Sequence, residues 1–213
     1  MPRIRIHFAK RGPALFVPHV DLPILFARAA RRAGIPMEYT QGFTPRPRTA
    51  FGPPLPVGVV GLSEPAEFWF GEWNDDFLSG WRDFLPDGFY ITSAEEISGV
   101  YGESGASLSK LCRDASYIIE PLNGVSPDAI ARTLAAEFGA MGVLLHIVAG
   151  GGIVTIAVTD PEKSGVSRMV KSLVADSLVS GWSDLAAGRV SVGRWDDDKK
   201  EIIPLSGGKK RER

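Results

Sequence analysis

The stretch that decides the fold is residues 126–160, SPDAIARTLAAEFGAMGVLLHIVAGGGIVTIAVTD. It opens on a serine at an N-cap position and a proline at the first helical position, where a missing N–H leaves no hydrogen bond unmade. Apolar residues at helical spacing follow to Ala140 and predict one helix. Two β-branched runs come next, separated by Gly150–Gly152, and predict a hairpin. Outward from there, ASYIIEPL (115–122) is a strand ahead of the helix. SGVSRMVKSLVADSLV (164–179) is a helix after the hairpin, and GRVSVGRWD (188–196) a closing strand. The order β-α-β-β-α-β over residues 114–198 is that of a split-βαβ, ferredoxin-like unit.

The same order precedes it. RIRIHFAK (3–10) alternates with period two and reads as a strand, with Ile4, Ile6 and Phe8 on one face and Arg3, Arg5 and His7 on the other. HVDLPILFARAARRAG (19–34) reads as a helix ending at Gly34, with Pro23 tolerated only near its first turn. MEYTQGF and RTAF are extended segments around a TPRP turn. AEFWFGEW (66–73) is a strand, NDDFLSGWRDFL (74–85) a short helix, and FYITSAEEI (89–97) a strand. The fold class expected is α+β, two tandem ferredoxin-like units with antiparallel sheets. Residues 1–98 form the first unit, 99–113 a linker, 114–198 the second unit, and 199–213 a basic, disordered tail.

Composition bounds the chemistry. Hydrophobic residues make up 44% of the 213 and charged residues 23%, which suits packed cores rather than a disordered chain. No apolar run approaches the ~20 residues of a membrane span, and MPRIRIHF lacks the charged-then-apolar pattern of a signal peptide, so a cytoplasmic location is expected. Cys112 stands alone and His7, His19 and His146 are scattered. This chain therefore supplies neither a disulfide nor the cysteines of an iron–sulfur or zinc site, and the reading takes no cofactor.

Charge is segregated. Residues 1–51 hold nine Lys/Arg and two acids, a balance of +7, whereas residues 52–213 hold fifteen and twenty-three, a balance of −8. Two explanations compete: an anionic partner for the basic part, or docking of that part on the acidic half of the same chain. A ferredoxin-like sheet carries helices on one face, so Arg3, Arg5 and His7 are expected on the open face, where RNA-binding modules present cations and stacking groups. Trp69 joins that face if Phe68 and Phe70 point inward. On the first helix, 100° per residue places Asp21, Arg28 and Arg32 within ~40° of one another, while Val20, Leu22, Ile24, Phe26, Ala27 and Ala30 are expected in the core. QGFTPRPRTAFGPPLPVG (41–58) holds five prolines and three glycines; it is stiff and carries Arg46 and Arg48 two apart, on one side of an extended chain.

Residues 4–73 also resemble a known family. Phe8, Lys10, Gly12, Phe16, His19, Asp21, Leu22, Arg28, Ala29, Arg31, Arg32, Ala33, Pro36, Tyr39, Gly42, Phe43, Pro45, Pro47, Leu55, Pro56 and Gly58 match, in order and spacing, the pattern of the DUF2344 or radical SAM-linked proteins. Pro18 and Arg46 depart from it, standing where the family has a serine and a histidine. The family's activity is not established; the resemblance implies a separate radical SAM enzyme as partner and a setting in RNA processing. Together the expectations describe a cytoplasmic, non-catalytic RNA- or tRNA-binding accessory protein. Its contact residues are Arg3, Arg5, His7, Lys10, His19, Asp21, Arg28, Arg32, Phe43, Arg46, Arg48 and Trp69. A metal-independent ribonuclease using His19 or His7, similar in topology to the RAMP endoribonucleases, and a protein–protein adaptor are the alternatives.

Overall fold

The computed structural model describes residues 1–97, 108–122 and 124–205. Most of the expected linker and residues 206–213 of the expected tail lie outside them. The first half runs β1 (Arg3–Lys10), 3-10 turns at Gly12–Phe16 and His19–Asp21, α1 (Leu22–Arg32), β2 (Thr49–Phe51), β3 (Val60–Trp69), α2 (Asp76–Asp83) and β4 (Phe89–Glu96). After α3 (Leu108–Leu111), the second half runs β5 (Asp114–Pro121), α4 (Pro127–Ala140), β6 (Leu144–Gly150), β7 (Ile153–Thr159), α5 (Pro161–Ser164), α6 (Val166–Ala175), β8 (Leu185–Asp196) and β9 (Glu201–Pro204). The fold is α+β. Part of the expected linker is the helical turn α3, and part of the expected tail is β9, which pairs with β8.

The strands form one nine-stranded sheet, in place of two separate ones, ordered β4-β1-β3-β8-β5-β7-β6 with β2 on β3 and β9 on β8. Neighbours are antiparallel except β3 and β8, which run parallel and share only Val60↔Gly188 and Gly61↔Arg189. Each half carries its own core. In the first, Ile4, Ile6 and Phe8 of β1 meet Phe26, Phe68, Phe70 and Trp81, and the Trp81 indole N–H donates to the Phe26 carbonyl at 3.1 Å. In the second, Tyr117, Ile119, Ile156 and Val158 of the sheet meet Ile130, Leu134 and Phe138 of α4 and Met169 and Leu173 of α6.

Residues 52–59, the second part of the proline-rich excursion, serve the scaffold. Leu55 and Val59 are buried in the second core although they belong to the first half of the chain. The Pro53 and Pro54 carbonyls accept from Arg189 at 2.7 and 3.3 Å. Arg189 also pairs with Glu64, its Nε donating to Oε1 at 3.0 Å and Nη2 to Oε2, and both side chains are almost wholly buried. Gly61 makes room for this pair: a Cβ there would stand 2.7 Å from the Glu64 Cγ.

Two expectations are corrected at α1. Val20 and Ile24, assigned to the core from periodicity, are 75% and 54% exposed. Val20 lies in the 3-10 turn before α1, outside the α-helical period that was used to place it. Within α1 the buried set is Leu22, Phe26, Ala27, Ala29 and Ala30, a narrower stripe than expected.

Replacing Arg189 by Leu leaves the Glu64 carboxylate buried without a counter-charge. A loss of about 3–5 kcal/mol in unfolding free energy is expected. The Arg189→Leu/Glu64→Leu double variant should recover much of it, as read by denaturant titration.

Candidate functional site

The sequence-predicted residues divide into a buried group and a surface group. β1 has Arg3, Arg5 and His7 on the face opposite the helices, opposite Trp69, Glu67 and Pro65 of β3, as alternation requires. That face is not open at these positions. Arg3 donates to Glu67 Oε2 from Nε at 3.0 Å and Nη2 at 2.6 Å, and Arg5 donates to Oε1 at the same two distances. Glu67 is fully buried and Arg5 is 5% exposed. Trp69, 3% exposed, has the guanidiniums of Arg3 and Arg48 over its ring, 5.1 and 5.3 Å from its centre. These contacts take up the charge of Arg3 and Arg5 inside the protein, so their guanidiniums do not stand on an open face as expected; Trp69, although buried, lines the groove described below. The partner of the two arginines, Glu67, belongs to the acidic part of the chain, 52–213, although it sits in the same sheet half as they do. The signal was in EFWF, because Glu67 is two residues from Trp69 and must share its face.

His7 and Lys10 are also internal. His7 is buried, with Nδ1 3.2 Å from the Ser93 hydroxyl and Nε2 without a hydrogen-bond partner. Burial, above all, lowers its pKa from the ordinary imidazole value against the pull of Glu95, so the ring is neutral at pH 7. Lys10 is 1% exposed, and its ammonium donates to the Val17 carbonyl at 2.7 Å. Burial lowers its pKa as well, partly countered by Glu64. Cys112 is buried, and desolvation pushes its thiol up to about 12, which removes it as a nucleophile.

The surface group gathers around two cavities that share Asp21 and Ile24. One, of about 550 Å³, lies along α1 and is lined by Arg28, Arg32, Leu25 and Phe84 besides the shared pair. The other is a groove of about 950 Å³ between the start of α1 and the chain segment 38–49, with His19, Glu38, Tyr39, Arg46, Arg48 and Trp69 on its walls. That segment is a hairpin-like loop with a defined base. Tyr39 bridges Pro47, the Glu38 carbonyl accepts from Arg48 N–H at 2.8 Å, and Thr40 and Arg46 exchange two further bonds. Phe43 stands at its tip, fully exposed.

The side chains of Asp21, Arg28, Arg32, Glu38 and Arg46 carry no ion pair among the described residues. His19 reaches the groove on one side and, on the other, a small cavity lined by Phe8, Lys10, Phe51 and Glu64. Its ring stands edge-on to Phe51, centroids 5.9 Å apart. Burial, then Arg189, lowers its pKa. Among the described residues no three of His, Cys, Asp and Glu converge in a way that would hold a metal. Of the residues expected from the sequence, His19, Asp21, Arg28, Arg32, Arg46, Arg48 and Trp69 line the two cavities; Glu38 and Tyr39 line the groove without having been expected. The aliphatic wall of Val20 and Ile24 was not expected there either. Tyr39 was legible as an aromatic in an extended segment; the position of Glu38 depends on how the loop folds against β3.

A family model described as an uncharacterized protein conserved in bacteria (DUF2344) matches residues 3–144, two thirds of the chain and every residue around both cavities except Met1. No curated protein matches.

A buried imidazole with a lowered pKa gives a signed pH dependence. Below the ordinary histidine value the unfolded chain takes up a proton that folded His7 refuses, so stability falls as pH drops from 7 toward 5. His7→Gln should flatten that slope in denaturant titrations at pH 5, 6 and 7.

Proposed function

The chain belongs to the DUF2344 family, and on that premise we propose that it is an RNA-binding accessory protein without a reaction of its own. It presents a single-stranded or tRNA segment to a separate radical SAM enzyme. The observation that carries the reading is the pair of adjoining cavities flanked by the guanidiniums of Arg28, Arg32 and Arg46, which have no ion pair among the described residues, with Tyr39 and Phe43 exposed beside them. Guanidiniums held by a helix and a stiff loop suit phosphate oxygens, and exposed rings suit unstacked bases. The partner enzyme rests on the family resemblance; a chain with one cysteine cannot supply the ligands of its cluster. A cytoplasmic location belongs to the same reading, and among the described residues no helix is long and apolar enough to cross a membrane.

The finer fold assignment is part of this proposal. We take the architecture as two ferredoxin-like units fused edge to edge. The recurrence of one strand order supports it, β4-β1-β3-β2 in the first half and β8-β5-β7-β6 in the second. The ribonuclease alternative keeps one supporting observation, an imidazole without hydrogen bonds among the described residues on the groove wall at His19. His7, buried against Ser93, drops out of it.

Salt titration of binding to a labelled single-stranded RNA tests the proposal. Each phosphate contact on a single strand contributes roughly −0.7 to the slope of log affinity against log salt. The Arg28→Ala/Arg46→Ala variant should therefore flatten the slope by about 1.4, with stability unchanged to within about 0.5 kcal/mol. RNA binding that is absent or indifferent to salt overturns the reading. Cleavage of the RNA in the presence of a chelator, lost in His19→Ala, would replace it with the nuclease.

A further inference from the structure

The groove pairs features that a simple phosphate track does not need. Arg46 and Arg48 favour an anion, yet Asp21 and Glu38 line the same space and would repel one. Neither carboxylate is neutralised by an ion pair among the described residues. A ligand that satisfies both signs has an anionic part and, a few ångströms away, a cluster of hydrogen-bond donors. The walls add a second requirement. Tyr39 presents a half-exposed ring on one side, and Val20 and Ile24 present exposed aliphatic surface from the start of α1 on the other. A flat group between an aromatic and an aliphatic wall is how proteins hold a nucleobase taken out of its stack.

The parts are held in place. The Glu38 N–H donates to the Trp69 carbonyl at 2.9 Å, and its own carbonyl accepts from Arg48, so the backbone bearing the carboxylate is fixed to β3 and to its neighbouring strand segment. Trp69 itself is contacted by the guanidiniums of Arg3 and Arg48, and Arg3 is anchored on Glu67. Asp21 and the aliphatic pair ride on the 3-10 turn and first turn of α1, whose opposite face is packed by Leu22 and Phe26.

Among the four RNA bases the donor patterns differ. Guanine offers N1–H and N2–H₂ side by side; adenine and cytosine offer one amino group, and uracil one imide N–H. A carboxylate accepts from adjacent donors in pairs. We propose that the groove takes one splayed-out guanosine of a single-stranded RNA. Its base lies between Tyr39 and the Val20–Ile24 wall, its Watson–Crick edge donates to the Asp21 and Glu38 carboxylates, and its phosphates face Arg46 and Arg48. This deepens the RNA-binding reading and rests on it.

The probes are labelled twelve-residue oligouridylates carrying a single central guanosine, adenosine, cytidine or uridine, titrated by fluorescence anisotropy at several salt concentrations. The guanosine probe should bind about tenfold more tightly than the other three, at the low end of what a bidentate contact to a base provides. In the Asp21→Asn/Glu38→Gln variant, shown to be folded by an unchanged melting curve, the four probes should bind alike. Equal binding of all four by the wild-type protein, with its salt dependence intact, overturns the guanosine slot and leaves the RNA reading standing. So does a guanosine preference that survives in the double variant. An absence of salt-dependent binding to any probe overturns both.

Discussion

The Arg189–Glu64 ion pair is the constraint on which the rest of the structure depends. β3 and β8 share only two paired residues, so backbone hydrogen bonding alone makes a weak seam between the halves. The seam is reinforced from the side chains. Desolvating each of these charges costs several kcal/mol, and the cost is offset only if the geometry is good and every donor is used. Here two contacts to the carboxylate and two proline carbonyls use four of the guanidinium's five N–H groups. Proline residues suit this role because they present carbonyls from a stiff backbone. The same excursion then buries Leu55 and Val59 in the second core, tying the halves a second time.

Charge segregation along the chain has an unexpected resolution in space. The ion pair that crosses the seam lies wholly within the acidic part, 52–213, whereas Arg3 and Arg5 of the basic part pair with Glu67 of the acidic one. In the first half, one buried carboxylate, Glu67, holds two arginines, and the surplus positive charge lies against the face of Trp69. Arg48, whose chain segment forms a wall of the groove, also stands over that ring. The interior network and the surface groove are therefore one construction. Arg3 and Arg5 contribute to the groove by fixing its floor, while Arg28, Arg32, Arg46 and Arg48 line the two cavities.

The groove also relates two local features that seem unconnected in the chain. The 3-10 turn at His19–Asp21 is not a full helical turn, so it rotates Val20 away from the core and toward the loop 38–49. The loop, closed at its base by the Tyr39–Pro47 bridge, faces it with a ring and a guanidinium. Aliphatic and aromatic surface is thus left exposed beside Asp21, Glu38 and Arg46, which have no ion pair among the described residues.

Much of this protein was determined by its sequence alone. Period-two alternation in RIRIHFAK placed Ile4, Ile6 and Phe8 inward and Arg3, Arg5 and His7 outward, because successive strand residues point to opposite faces whatever the surroundings. The Ser-Pro start and the glycine turn at 150–152 set α4 and the β6–β7 hairpin for equally local reasons. The family match, too, follows from residue order and spacing. Tertiary structure decided what those faces meet. No local rule says that Glu67 takes both arginines, that Arg189 finds Glu64 across 125 positions, or that residues 52–59 pack into the other half's core. Burial and charge pairing are non-local quantities. They depend on which strands become neighbours, and so the division between arginines that hold the fold and arginines that face solvent is settled only when the sheet closes.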